Sequence, residues 1–184
     1  MLERFILSII LFALLISAGM ATKYQFDAGS YTVKFNSSQE LVILSPLPYQ
    51  ESGSHAGGWD ITIQDNMTHT IENLYIVEEE NIYPVSNDVI DSILDNNIAP
   101  LSGLKPKTAI KLNGIDGRMA KGYDPQTGLN IKMAVAPFNP FYDSFFKRLA
   151  MNCTILFGGY DLPVYYEIVD SLNITTKRPN SALN

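Results

Sequence analysis

The sequence predicts an α+β domain, an antiparallel β-sheet covered by helices. Several segments alternate apolar and polar residues with a period of two, the mark of half-buried strands. Two others carry apolar stripes at helical spacing behind capping residues. The order runs strands, helix, strand meander, helix, which favours helices laid on an antiparallel sheet. A chain of 184 residues with no internal repeat or linker makes one such domain.

The extended lead-in YQFDAGS precedes a first strand, in which Tyr31, Val33 and Phe35 alternate with Thr32 and Lys34. SSQE turns the chain and LVILS, from Leu41, forms a second strand. SPLPYQESGSHAGG has two prolines and no periodic apolar pattern, so it is a loop. Trp59, Ile61 and Ile63 then alternate with Asp60, Thr62 and Gln64. DNMTHT turns into a strand with Leu74 and Ile76 on one face and Tyr75 and Val77 on the other. VSNDVIDSILDNN is a short amphipathic helix, capped by Ser86 or Asn87, with Val89, Ile90, Ile93 and Leu94 as its apolar stripe. Asp88 and Asp91 suit the positive end of its dipole, and Pro100 lies just beyond its end.

TAIKL, RMAKGY and LNIKMAVA, joined by the glycine-bearing turns NGIDG and DPQTG, make a three-stranded meander over residues 108–136. The aromatic segment PFNPFYDSFFKRLA is predicted to hold a helical turn or two after Pro140, pairing Phe141 with Phe145 and Tyr142 with Phe146. MNCTILF is a strand that GGYDLP breaks. Asp161 caps a last helix, with Pro163 in its first turn and Tyr165, Ile168, Val169 and Leu172 facing the core. TTKRPNSALN reads as a frayed tail.

The uncharged run Phe5 to Gly19 follows the short charged stretch MLER and precedes small residues, the layout of a secretion signal cleaved after Gly19 or Ala21. The run is short for a membrane span, although an uncleaved leader would anchor the domain. The expected division is a signal peptide over residues 1–21, one domain over 22–175 and a flexible tail over 176–184. This makes the protein secreted or cell-surface, or else N-terminally anchored. Its net charge of −6 argues against nucleic acid, and it expects the membrane only through a retained leader. Cys153 is the single cysteine, so no internal disulfide is possible, and its apolar surroundings read as core. The sequons at Asn36, Asn66 and Asn173 are possible glycosylation sites, and a fourth at Asn152 opens what reads as a buried strand.

The opening YQFDAGSYTVKFN, the hairpin IKLNGIDGRMAKGY and the closing MNCTILF with DLPVYYEIVDSLNIT resemble the superfamily of PsbP and the Mog Ran-binding proteins. The shared features are the extended lead-in, the glycine-marked central hairpin and the closing strand and helix that end here in SLNI. The resemblance implies an α/β/α sandwich with a central antiparallel sheet, and accessory or binding roles rather than enzymatic ones. The photosynthetic member assists a manganese–calcium centre, but no ligand residue carries over to this chain.

No catalytic motif emerges. GSHAG places His55 where a nucleophile elbow needs serine. His55 and His69 lack zinc-site spacing, and Asp60, Asp65 and His69 lack that of a calcium loop. No catalytic, cofactor or metal residue is therefore assigned, and no cofactor is expected. Glu78, Glu79 and Glu80, with Asp88, Asp91 and Asp95, make an acidic surface, read as a solvated face that could also meet a cation or a basic partner. The aromatic set Phe138, Phe141, Tyr142, Phe145 and Phe146, together with Trp59 beside the long loop, are the candidate partner-binding residues. The expected function is an exported, non-catalytic accessory or binding protein acting by protein–protein contact at the cell envelope. The alternative is a small-molecule or carbohydrate binder, or a carboxylate-based hydrolase with two carboxylates in a cleft beside Trp59 or Tyr123.

Overall fold

A computed structural model describes residues 21–50, 57–160 and 163–177. Residues 1–20 of the leader, His55 with most of its loop, the Asp161 cap and the tail beyond residue 177 lie outside the described residues. The architecture is mainly β: strand makes up 58% and helix 14%, which overturns the helix-covered α+β sandwich of PsbP-like type. One outer layer is chiefly a second sheet.

That small sheet is the hairpin β1 (Thr22–Ala28) and β2 (Tyr31–Ser37), with β12 (Asn173–Thr176) on the far side of β2. The lead-in is thus a full strand, running from Thr22↔Ser37 to Ala28↔Tyr31 around a two-residue turn. Of the stretch read as a frayed tail, Thr175 and Thr176 belong to this strand, in which Ile174 meets Val33 and buries beside it. Both ends of the domain add edges to β2, and this puts a sheet where helices were expected.

The large sheet is antiparallel and nine-stranded. It runs β3 (Leu41–Ile43), β5 (Gly57–Asp65), β6 (Ile71–Pro84), β11 (Arg148–Tyr160), β9 (Asn130–Pro137), β8 (Ile115–Tyr123) and β7 (Thr108–Leu112), with β4 (Leu47–Gln50) also on β5 and β10 (Phe141–Asp143) on β11. The predicted meander is β7, β8 and β9, paired in that order.

The two faces of this sheet carry two cores. On one face Ile61, Ile63, Leu74, Ile76, Ile155 and Phe157 pack against β1, β2, β12 and helix α2 (Pro163–Ser171). Tyr165, Ile168, Val169 and Leu172 are all buried there, as their spacing predicts. Tyr165 stacks on Phe157 at 4.8 Å and donates its hydroxyl to the Phe157 carbonyl at 3.0 Å. On the other face helix α1 (Asn87–Ile98) buries Ile90, Leu94 and Ile98 against Ala120, Val135, Met151 and Leu156. Ser86 caps it, accepting from the Val89 N–H at 3.3 Å.

The glycine pair expected to break the closing strand lies inside β11 instead. A β-carbon at Gly159 would stand 2.4 Å from Cγ of Glu72, and one at Gly158 would stand 2.5 Å from Cε of Met133. Glycine here makes room for side chains of the neighbouring strands. Gly159→Ala is expected to destabilise the fold by about 1–3 kcal/mol, since the added carbon would press on Cγ and Cβ of the buried Glu72 and not on a free side-chain end. Urea unfolding checks it, and the loss should shrink when the same change is made in a Glu72→Ala background.

Candidate functional site

Strand β6 breaks step with β11. Glu78 stands opposite Cys153 and Tyr83 opposite Met151, so β6 uses five residues to span what β11 covers in two. The surplus on β6 leaves the ladder as a bulge, with no residue of β6 opposite Asn152. Helix α1 follows directly after Pro84 and folds back over this break. Between them lies a cleft of about 430 Å³, within the range of small-ligand sites.

Its lining divides by chemistry. Tyr83, Val89, Ile93 and Met151 supply apolar surface. The predicted helix stripe is therefore split: Ile90 and Leu94 enter the core, while Val89 and Ile93 are left half-buried for the cleft. Asp88, Ser92 and Asn96 follow one another at four-residue spacing along one ridge of α1 and supply polar groups. Asn152 and Thr154 do so from β11, and Glu79 from the bulge. Asn152, read from the sequence as the start of a buried strand, is in fact exposed.

The acidic surface is divided by its partners. Asp91 pairs with Arg118 at 3.0 Å and Asp95 with Lys107 at 2.7 Å. Glu78 accepts from the Tyr31 hydroxyl on the other face. Glu79 and Asp88 remain for the cleft, and no Lys, Arg or His is among its lining residues. Cys153 also borders it, but burial pushes the thiol up to about 12, with the Glu78 carboxylate adding to the rise, so it is no nucleophile near neutral pH.

A second group of titratable side chains sits under α2. Glu72 and Lys132 are 3% and 1% exposed. Lys132 lies opposite Gly159 in the ladder, and Gly159 leaves the space that Glu72 fills. The Lys132 ammonium stands 3.6 Å from the centre of the Tyr166 ring and 5.1 Å from that of Tyr165. A hydrogen bond from Lys121 lowers the pKa of the Tyr166 phenol against the opposing effect of burial, and Lys132 adds to the lowering. Burial pushes the Glu72 carboxyl up to about 7, the Asp65 carboxylate adds to this, and Lys132 opposes it.

The candidate partner-binding residues separate. Phe138 is 1% exposed, its ring edge-on to Tyr31 at 5.5 Å, so it belongs to the core and offers no surface. Trp59 is half-buried against the first core, with its ring lying over Gly29 of the β1–β2 turn. The other four share one hairpin. The helical turn expected after Pro140 is instead β10 with a tight turn into β11, with Phe141 opposite Ala150 and Asp143 opposite Arg148. Asp143 accepts from the N–H groups of Phe145 at 2.9 Å and Phe146 at 3.2 Å, which closes the turn locally and removes any need for helix. Tyr142, Phe145 and Phe146 are 65%, 83% and 58% exposed.

Asn36, Asn66 and Asn173 are all exposed. His69 occupies an exposed left-handed turn position, and Asp60 and Asp65 fall on opposite faces of β5, so the three do not converge. The cleft holds two carboxylates, Glu79 and Asp88, but neither Trp59 nor Tyr123 lines it. No helix among the described residues is long and apolar enough to cross a membrane. The chain matches no family model, no curated protein and no solved structure.

The Glu72 position makes stability depend on pH. Its folded value of about 7 exceeds its ordinary 4.5, so the folded state holds the proton more tightly than the unfolded chain does. The resulting stabilisation is complete below pH 4.5 and is lost as pH rises to about 7, some ~3 kcal/mol in all. Urea unfolding between pH 4 and pH 8 should show that decline in the parent protein, and Glu72→Gln should flatten it.

Proposed function

We propose that the chain is an exported, non-catalytic accessory protein that docks a protein partner onto the aromatic hairpin of β10 and β11. The carrying observation is that Tyr142, Phe145 and Phe146 project into solvent from a turn that is already ordered. Phe145 and Phe146 meet edge to face at 4.8 Å, and the Arg148 guanidinium lies 4.7 Å over the Phe146 ring. Lys147 holds the left-handed conformation that closes the turn. Leu149 stands across the pair from Tyr142 and extends the exposed apolar surface on that face, while Phe141 falls on the other face of the hairpin.

Burying one exposed phenylalanine yields about 1.5–3 kcal/mol, so a few such rings are enough to anchor a complex. Little ordering entropy is lost on binding when the anchors are already fixed. Phenylalanine, tyrosine and arginine are the residues enriched at the centres of interfaces, and this tip holds all three. The uncharged run Phe5 to Gly19 behind its charged start supports export, and the exposed sequons at Asn36, Asn66 and Asn173 are compatible with it.

A photo-crosslinking residue placed at Phe145 in the producing cell is expected to give one discrete adduct with another envelope protein. The adduct should vanish on Phe146→Ser and should not form from the same probe at Met67, an exposed apolar residue of the β5–β6 turn. Adducts to lipid alone, or only to a second copy of the chain, would overturn the reading.

A further inference from the structure

We propose that the cleft between α1 and the bulged stretch of β6 binds an organic cation, an ammonium or guanidinium carried on an apolar body, with Glu79 and Asp88 as its counter-ions. This goes beyond the docking hairpin and does not rest on it.

The cleft arises at the register break. A bulge of one residue re-aims a side chain, whereas this one opens a volume of about 430 Å³ beside the most central strand of the sheet. The helix that covers the break leaves Val89 and Ile93 facing the opening when it could bury only Ile90, Leu94 and Ile98 beneath it. An apolar wall of this kind, with Tyr83 and Met151 opposite, suits a hydrocarbon or aromatic body.

The charge selects the sign. Both ionisable carboxyl groups at the cleft, Glu79 and Asp88, are acidic, and no basic side chain lines it. The acidic residues one turn further round α1 are held by Arg118 and Lys107, so the helix neutralises its outer face and leaves the cleft face negative. An anion would meet both carboxylates, whereas a cation gains from them. A bare metal ion is a poor occupant, because the apolar wall offers it no ligands and no metal-binding cluster occurs among the described residues. Ser92, Asn96, Asn152 and Thr154 supply acceptors for the N–H groups that an ammonium or guanidinium carries.

The test uses the full chain labelled with ¹³C at its methyl groups and titrated with phenethylammonium. Shifts are expected at the Val89, Ile93 and Met151 methyls. Neither 2-phenylethanol, which lacks the charge, nor 3-phenylpropionate, which reverses it, should produce them. Exchanging both carboxylates, as Glu79→Gln with Asp88→Asn, should weaken phenethylammonium at least tenfold while leaving the remaining spectrum in place. A capped phenylalanyl-arginyl-phenylalanine tripeptide tells a partner's side chain from a free amine by which of the two binds more tightly. The Phe145→Ser, Phe146→Ser double variant should bind the amine as the parent does, so failure of the hairpin reading and failure of this one are distinguishable. No methyl shift at millimolar phenethylammonium, or equal shifts with the neutral alcohol, would refute the assignment.

Discussion

Strand β11 is hydrogen-bonded to β6 on one side and to β9 on the other, and its inner face looks onto the small sheet and α2. Both neighbours must therefore fit one strand, and each irregularity of the molecule lies where they do not. At the β9 side and the upper part of β6 the fit is regular, and two glycines in β11 make it so by leaving space for Met133 and Glu72. At the other end β6 carries surplus residues, the ladder breaks, and α1 closes over the gap. Beyond the break β6 rejoins β11 at Met151 and Ala150, while on the other side β10 takes over from β9 as a short partner and ends in the aromatic turn. Core, cleft and hairpin are successive lengths of one strand.

Much of this was legible from local pattern. The meander could be read because Ile131, Met133 and Val135 keep strict alternation and the turns before and after β8 carry glycine. Helix α1 could be read because Ser86 and the spacing of Ile90 and Leu94 agree on one start and one face. What failed was whatever depends on a partner distant in sequence. Gly158 and Gly159 look like a strand breaker until Glu72 and Met133 are placed beside them. Thr175 and Thr176 look like the start of a polar tail until they pair with Thr32 and Tyr31. Phe141 and Phe145 fit a helix by spacing until Phe141 to Asp143 pair with Arg148 to Ala150 and make the segment a hairpin. The cleft left no local trace at all, because a register difference belongs to two strands at once.

The charged residues follow the same division between pattern and placement. In sequence, Glu78 to Glu80 and Asp88, Asp91 and Asp95 form a uniform acidic surface. In the fold, Glu78 turns to Tyr31, Asp91 and Asp95 meet Arg118 and Lys107, and only Glu79 and Asp88 border the cleft. The buried pair behaves in the opposite way. Glu72 and Lys132 look like ordinary polar positions of alternating strands, yet both lie on the core side under α2. Burying two ionisable groups seldom adds net stability over apolar side chains of the same size, since desolvation is costly. Their presence here is better explained as specificity. Glu72 fits only over Gly159 and Lys132 only beneath the Tyr165 and Tyr166 rings, so a strand slipped by one residue would strand both charges on the wrong face.

The exposed aromatic rings are held in place as well. A hairpin end that merely lacked space in the core would show loosely placed rings and an unconstrained turn. Here the turn is held by Asp143, closed by Lys147 in the left-handed region, and topped by two rings in edge-to-face contact with arginine over one of them. Just before it, Asn139 also takes a left-handed conformation, and this reversal sends Phe138 inward to Tyr31 while the residues after Pro140 point outward. The chain thus has a device for burying an aromatic ring at this point and uses it once. Phe145 and Phe146 lie beyond that device and stay largely exposed. The buried carboxylate and lysine hold the register of the strands, and the Asp143 turn at the end of β11 holds the phenylalanine rings exposed to water.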